Sequence, residues 1–298
     1  MREFEQAAAV LPPELRQQAL ALPAQERERA EELRLRCGWP MAAVFPEGEV
    51  PLGGRKIVTQ DLELLLEIAS RASVHAVLSQ LREGYLTIEG GHRLGLCGTA
   101  VLENGQMRNL RSLSSVSIRI ARQHPGAALP LLSGLMEGGR LCSTLIAAPP
   151  GMGKTTLLRD LVRCISDGEG TPPLRVGLAD ERGEVAALYG GVPQLRVGRR
   201  TDVIEGCPKA QGAMLLLRAM NPQVLAMDEI TAPEDVAALL TAAGCGAVLL
   251  ATAHGEGDEL TRRPLYRTML EERIFQRVVS IQRTEQGRSY TVDAPEPC

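Results

Sequence analysis

The chain is poor in aromatic residues and carries no excess of positive charge. Phe, Trp and Tyr make up 3% of its 298 residues and the formal net charge is −3, so no global basic field favours nucleic acid. Its seven cysteines are odd in number and lack C-x-x-C spacing, which argues against a disulfide framework or zinc site and favours buried thiols in a reducing cytosol. No run approaches eighteen uninterrupted apolar residues, so we expect any membrane association to depend on a partner.

The apolar content of the chain, 44%, can supply the cores of two domains. Residues 1–36 are rich in Glu, Arg, Ala and Leu and are broken by three prolines, which predicts interrupted helical segments that form a leader. Residues 37–124 predict a smaller α+β domain, with a strand at 41–45 and a helix within 61–82. Residues 125–298 are predicted to form the second domain, in which apolar strands alternate with helices.

Four glycines within residues 90–98 neither open a helix nor precede Lys-Thr, so they predict a hairpin and not a phosphate loop. His92 and Arg93 would then lie in a solvated turn, or alternatively face a neighbouring subunit. The turn sequence at 103–106 predicts a second hairpin, and residues 117–122 a final strand before the domain boundary.

From residue 129 the sequence alternates between short apolar runs and longer helical patterns. This alternation predicts a mostly parallel sheet with helices on both faces, an α/β class in which ligands bind at the carboxyl ends of the strands. The predicted strands are 141–147, 175–179, 224–227, 247–251, 278–283 and 289–292. The predicted helices are 155–166, 183–189, 209–220 and 233–243.

A phosphate-binding loop follows the first of these strands. The pattern G-x-x-x-x-G-K-[ST] is met at residues 148–155, except that Ala148 replaces the first glycine. Backbone N–H groups and the helix start would bind polyphosphate, Lys154 would reach the outer phosphates, and the Thr155 hydroxyl would hold magnesium. The predicted nucleotide-binding residues are Pro150, Gly151, Met152, Gly153, Lys154, Thr155 and Thr156.

Polar residues end three other strands. Asp228 is placed to hold magnesium through water, and Glu229 to orient or deprotonate the water that attacks the γ-phosphate. Asp180 and Glu181 either complete this network or form a helix-start cluster. The block 249–254 ends in Thr252 and His254, where a polar side chain would contact the γ-phosphate and report its loss.

Several blocks resemble the type II and type IV secretion ATPases: residues 217–230, the histidine box at 243–254 and the aspartate box at Asp180-Glu181. More narrowly, residues 90–98, 180–185, 197–203 and 207–210 are similar to the stage III sporulation protein AA family, the mother-cell ATPases of endospore-forming bacteria. The chain departs from the secretion ATPases at Asp228, where they usually have glycine, at Ala148, and in lacking their four-cysteine metal insert.

The resemblance implies a RecA-like P-loop NTPase core preceded by the smaller α+β domain. It further implies ATP and Mg²⁺ as cofactors, a homo-oligomer that is a hexameric ring, and an arginine that completes the neighbouring subunit's site. The candidates for that arginine are Arg182, Arg199, Arg200 and Arg218. In the family the motor is cytoplasmic, in the mother cell, and acts on the inner-membrane sporulation protein AB.

Two other function classes stay open. One is a nucleic-acid-dependent ATPase with the same core, although the chain shows no basic run or aromatic stacking platform. The other is a switch in which ATP binding alone organises a partner, against which Glu229 argues. A GTPase is disfavoured because the chain has no Asn-Lys-x-Asp motif.

Overall fold

The computed structural model describes residues 2–70, 84–255, 262–284 and 287–294. These form two compact units, one comprising Met1–Arg122 together with Ala187–Gln194, and the other Gln123–Ala186 with Leu195–Cys298. Within the described ranges, no helix has both the length and the hydropathy required to cross a membrane.

The first unit is built on a six-stranded antiparallel sheet of order β3-β2-β1-β6-β5-β4. Its strands are β1 (Glu32–Arg36), β2 (Pro40–Phe45), β3 (Gly48–Lys56), β4 (Tyr85–Thr87), β5 (Arg93–Glu103) and β6 (Gln106–Arg119). Its helices are α1 (Arg2–Ala8), α2 (Pro13–Leu20), α3 (Ala24–Arg29) and α4 (Thr59–Ala69). The part of the predicted 61–82 helix beyond residue 70 falls outside the described residues.

The predicted leader belongs to the core of this unit. Phe4, Leu11 and Leu15 are fully or almost fully buried in the same cluster as the sheet residues, and the end of the predicted leader is strand β1. The prolines start helices instead of only interrupting them: Pro13 is the first residue of α2, where its missing N–H is not needed. Alternate residues of β1 are buried, which fits a strand with one covered face.

Both predicted hairpins are confirmed, because β4 pairs with β5 and Glu103 pairs with Gln106. The prediction of a solvated turn at His92 is wrong, since this side chain is fully buried. Its Nδ1 accepts the Ala121 N–H at 3.0 Å, while within the described part of the chain its Nε2 finds no hydrogen-bond partner. Burial lowers the pKa of His92 to about 4, so the folded unit holds a neutral imidazole.

Acid should therefore destabilise the first unit through His92. The unfolded chain binds a proton at this residue below pH 6.5 and the folded chain only near pH 4, so stability present at neutral pH is lost as the pH falls through that window. The expected loss is about 2 kcal/mol at pH 5. His92→Gln retains an acceptor for the Ala121 N–H and should lose this dependence.

The test is urea unfolding of both proteins at pH 7 and pH 5, followed by hydrogen exchange of peptides from residues 84–121. Parallel pH dependences in wild type and variant would refute a role for His92.

The second unit contains a seven-stranded sheet of order β13-β10-β14-β15-β9-β16-β17, parallel except for the final hairpin β16–β17. The strands are β9 (Thr144–Ala148), β10 (Val176–Asp180), β13 (Thr201–Glu205), β14 (Val224–Met227), β15 (Val248–His254), β16 (Arg277–Thr284) and β17 (Gly287–Asp293). The unit also contains the short pair β7 (Met136–Glu137) and β8 (Arg140–Leu141). The short pair β11 (Leu188–Tyr189) and β12 (Val192–Pro193) lies in the segment Ala187–Gln194, which belongs to the first unit. A 3₁₀ helix (Leu129–Leu135) opens the second unit, followed by α5 (Lys154–Asp167), α6 (Lys209–Ala219), α7 (Pro233–Gly244) and α8 (Pro264–Glu271).

The predicted parallel sheet is confirmed, and its strands β9, β10 and β14 are buried along their whole length. Two buried clusters share the unit: Ile146 and Ala148 of β9 lie in one, and Leu145 and Ala147 in the other. Successive side chains of this strand thus face opposite sides of the sheet, and both sides are covered. The carboxyl ends of these strands carry the candidate site.

The prediction of a helix at 183–189 is wrong. This segment is a loop that ends in strand β11, and Gly183 and Ala187 have positive φ angles of 64° and 51°. Left-handed backbone at these two points is incompatible with a continuous helix. Asp180 binds N–H groups of this loop, and Arg159 binds its carbonyl groups.

Candidate functional site

The predicted phosphate loop connects β9 to α5, and the helix begins at Lys154 as predicted. Gly151 and Gly153 have φ angles of 76° and 92°, which favour glycine. Ala148 is instead the buried last residue of strand β9, and extended backbone accepts any residue. The missing first glycine therefore falls where this fold does not need one.

The Lys154 ammonium lies among three acceptors. It donates to the carbonyl oxygens of Ala148 at 2.8 Å and Pro149 at 3.0 Å, and lies 2.9 Å from His254 Nδ1. The side chain is buried, and desolvation lowers its pKa, which the nearby Glu229 and Asp228 partly offset. A cation held this close to the helix start is well placed for an anion.

His254 connects the lysine to Glu229. Because an ammonium group can only donate, His254 Nδ1 must accept from Lys154, and the ring proton is then on Nε2. That nitrogen lies 2.9 Å from Glu229 Oε1. The three side chains thus form a continuous chain of hydrogen bonds, and the predicted grouping of Lys154, Glu229 and His254 at one edge of the sheet is observed.

The backbone of Glu229 is strained, with a φ of 45°, in a region that non-glycine residues seldom occupy. Its N–H donates to Thr252 Oγ1 at 2.7 Å, and the same hydroxyl donates to Asp228 Oδ1 at 2.7 Å. Asp228 Oδ2 accepts the Thr155 hydroxyl at 2.8 Å. Thr252 therefore fixes both acids at the end of β14, and Asp228 connects them to the phosphate loop.

Asp180 holds the loop 181–186 through its backbone. Its carboxylate accepts the N–H groups of Glu184, Val185 and Ala186 at 3.0, 3.0 and 2.7 Å. Burial, with a contribution from Asp228, raises the pKa of Asp180 to about 6 despite these bonds. These contacts give Asp180 a positioning role, and a part in holding magnesium remains a prediction.

Arg159 binds the same loop from α5. Its guanidinium is buried and donates to the carbonyl oxygens of Glu184 and Val185, both at 2.6 Å. The role of Arg159 is not apparent from the sequence, because an arginine within a helical pattern usually belongs to a solvated face. The aspartate box is consequently attached to the helix that follows the phosphate loop.

A small acidic cavity lies between this loop and the end of β14. It is lined by Asp180, Glu181, Arg182, Glu184, Lys209, Asp228 and Glu229. Lys209, a residue that the site prediction lacked, is buried and donates to Glu181 Oε2 at 3.2 Å and Thr231 Oγ1 at 3.1 Å. Lys209 could have been identified from the sequence, because it lies within residues 207–210, which carry part of the family resemblance.

Arg199 and Arg200 lie away from this cluster in their own chain. Arg199 pairs with Asp167 at 3.4 Å, and Arg200 donates to the Ser166 carbonyl at 3.0 Å, so both lie at the far end of α5. A helix of 14 residues is about 20 Å long, so neither arginine reaches the phosphate loop that begins it. If either arginine contributes to a nucleotide-binding site, that site must belong to another subunit.

The phosphate loop, the parallel sheet and the acids at its carboxyl edge define a RecA-like P-loop fold. Solved structures share it: the Yersinia pseudotuberculosis ATPase DotB has a TM-score of 0.62 at 14% identity, covering 96% of this chain and 80% of that one. The Legionella pneumophila ATPase DotB has a TM-score of 0.56 at 16% identity, covering 88% and 76%. The pilus retraction motor PilT, solved with bound ADP, has a TM-score of 0.59 at 16% identity, covering 90% and 80%.

Sequence comparison identifies the family. A family model described as sporulation stage III, protein AA, matches residues 1–292. The chain is 39% identical over 284 residues to stage III sporulation protein AA of Bacillus subtilis, covering 95% of this chain and 92% of that protein. The chain therefore belongs to the stage III sporulation protein AA family, which confirms the resemblance inferred from its motifs.

A more distant relative is the protein SEEDLING PLASTID DEVELOPMENT 1 of Arabidopsis thaliana. It is 27% identical over 268 residues, which cover 88% of this chain and 35% of that protein.

Proposed function

We propose that this chain is an ATP-hydrolysing motor of the secretion-ATPase type that powers a sporulation-specific transport or assembly complex between mother cell and forespore. The observation that carries the proposal is the hydrogen-bonded group of Lys154, His254, Glu229, Asp228 and Thr155 at the carboxyl edge of a RecA-like sheet. Family membership supports the sporulation context, and the ADP bound to PilT supports a nucleotide as ligand.

In this proposal the phosphate loop binds ATP, with Lys154 on the outer phosphates. Glu229 orients and deprotonates the attacking water, and His254 keeps the Glu229 carboxylate in place. The strained backbone of Glu229 is held by the hydrogen bond from its N–H to Thr252, which supports a positioned rather than a freely mobile carboxylate.

The donor set fits a magnesium ion held mainly by the nucleotide and water. Among the described residues, no group of three or more His, Cys, Asp or Glu side chains forms a cage for a metal. Thr155 and Asp228 offer one hydroxyl and one carboxylate, hydrogen-bonded to each other, and Mg²⁺ commonly retains several waters and phosphate ligands. When bound, the ion would neutralise charge on the transferring phosphoryl group.

The partner is proposed to be an inner-membrane protein of the sporulation protein AB type, with the motor working as a homo-oligomer, most simply a hexamer. The exposed position of Arg199 at the end of α5 supports this arrangement, because a cation there is available to a neighbouring subunit.

The deciding experiment measures particle size and ATPase rate together, with and without ATP and the cytoplasmic segment of the partner. We expect ATP-dependent assembly and turnover that the partner segment stimulates. Stimulation by single-stranded nucleic acid instead would favour a nucleic-acid-dependent ATPase. Assembly with tight ATP binding but no turnover under any condition would favour a binding switch and refute the motor.

A further inference from the structure

A second cavity, of about 610 Å³, lies beside the phosphate loop. One wall is formed by the loop and the start of α5, through Gly153 and Thr156. The other wall is the hairpin of β16 and β17, through Arg283, Arg288 and Tyr290. Its volume lies within the usual range for a small-molecule site.

The residues that line this cavity do not include Lys154, Asp228 or Glu229. Thr155 faces Asp228, whereas its neighbour Thr156 lines the cavity. The side with Lys154, Asp228 and Glu229 is the one assigned above to the outer phosphates. If ATP occupies the loop, the cavity must therefore receive the inner end of the nucleotide, which consists of the α-phosphate and the nucleoside.

Arg288 lies directly against the loop. A Cβ atom added to Gly153 would be 2.7 Å from Arg288 Nη1 and 2.9 Å from its Cζ, so the guanidinium packs on the glycine. Position 153 therefore favours glycine for two reasons: its backbone is left-handed, and Arg288 lies where a Cβ atom would be. The contact places a permanent positive charge at the N-cap residue of α5.

The pairing of the hairpin adds a second, independent indication. Arg283 and Arg288 are direct partners across β16 and β17, and both line the cavity. Like charges opposite each other destabilise a strand pair, and an anion bound between them removes that penalty. Two arginines facing one cavity beside a phosphate loop therefore favour an anionic group as its occupant.

We propose that Arg288 binds the α-phosphate of the nucleotide from within the same subunit, with Arg283 as a second cation at the rim and the cavity holding the nucleoside. This inference rests on the proposed ATP-binding function. Arg288 acts on a group that ATP and ADP share, so it strengthens binding of substrate and product alike. An arginine that stabilises the transferring γ-phosphoryl group would instead act on ATP and not on ADP.

The test is calorimetric titration of the full chain with Mg·ADP and with a non-hydrolysable Mg·ATP analogue. Arg288→Ala should weaken both by about the same factor, tenfold or more, as expected for a lost hydrogen bond to a charged group. Arg288→Lys keeps the charge but loses the planar fork and should lie between. Arg283→Ala should have a smaller effect. The matched control is Arg140→Ala, because Arg140 is exposed beside Val248, at the amino ends of the strands.

Unchanged affinity for both nucleotides in a folded Arg288→Ala or Arg288→Lys protein would overturn the assignment, as would a loss confined to the ATP analogue. If the wild-type chain bound neither nucleotide, the proposed function itself would fail, which is a different result. The circular dichroism spectrum of each variant establishes folding, and Arg288→Lys serves if the alanine variant does not fold.

Discussion

Glu229→Gln should leave ATP binding nearly intact and lower turnover by about 10²- to 10⁴-fold, the usual contribution of a general base. The amide keeps the size of the side chain, and its oxygen can still accept from His254 Nε2, so the loop geometry is preserved. Lys154→Ala should instead abolish tight binding, because it removes the cation that we propose to contact the outer phosphates.

Both effects can be measured in one set of samples, as nucleotide affinity by calorimetry and as phosphate release. Thr155→Ala and Thr156→Ala form a control pair, and the first should impair magnesium-dependent turnover more because only Thr155 contacts Asp228. If Glu229→Gln lost binding as severely as Lys154→Ala, the glutamate would have a structural role and the assignment of the strand end would be wrong.

The second large effect concerns Arg199 and Arg200. If one of them completes the site of a neighbouring subunit, its substitution by alanine should leave nucleotide binding nearly unchanged and lower turnover by about 10³-fold, as for other arginine fingers. Their distance from the phosphate loop of their own chain, at the other end of α5, is the reason that binding should survive.

Mixing the arginine variant with the Glu229→Gln protein tests whether the arginine acts between subunits. A mixed interface can join an intact Glu229 to an intact arginine, so partial activity should return. An arginine that acts within its own chain would give no rescue. If mixed oligomers form without rescue for either residue, both are excluded, and Arg182 and Arg218 become the candidates.

Much of the parallel sheet was predictable from the sequence because β9, β10 and β14 are fully buried and therefore appear as continuous apolar runs. The strand predicted at 224–227 has the observed bounds, and the strand and helix flanking the phosphate loop shift by only a few residues. The loop was predictable for a similar reason, since Gly151, Gly153 and Lys154 meet requirements of backbone conformation and charge that are local in sequence.

Features that depend on distant contacts were not predictable in the same way. The loop 181–186 has a helical composition, but Asp180 and Arg159 hold its backbone groups in another conformation. The burial of His92 and the packing of α1 and α2 into the first unit follow from tertiary contacts that local patterns do not contain. Arg288 is 134 residues from Lys154 in sequence and reaches the phosphate loop only because β16 pairs with β9.

The position of β9 in its sheet also constrains how the protein folds. The strand that leads into the phosphate loop lies between β15 and β16, which follow it in sequence by about a hundred residues or more. Its pairing must therefore wait until most of the second unit has been synthesised, and the closure of such long loops is slow. During synthesis, Lys154 leaves the ribosome well before His254, so the growing chain has the loop sequence before Ala148 can pair with His254 and bring the two side chains together. The arrangement of Lys154 and His254 is thus acquired late, as a property of the completed unit.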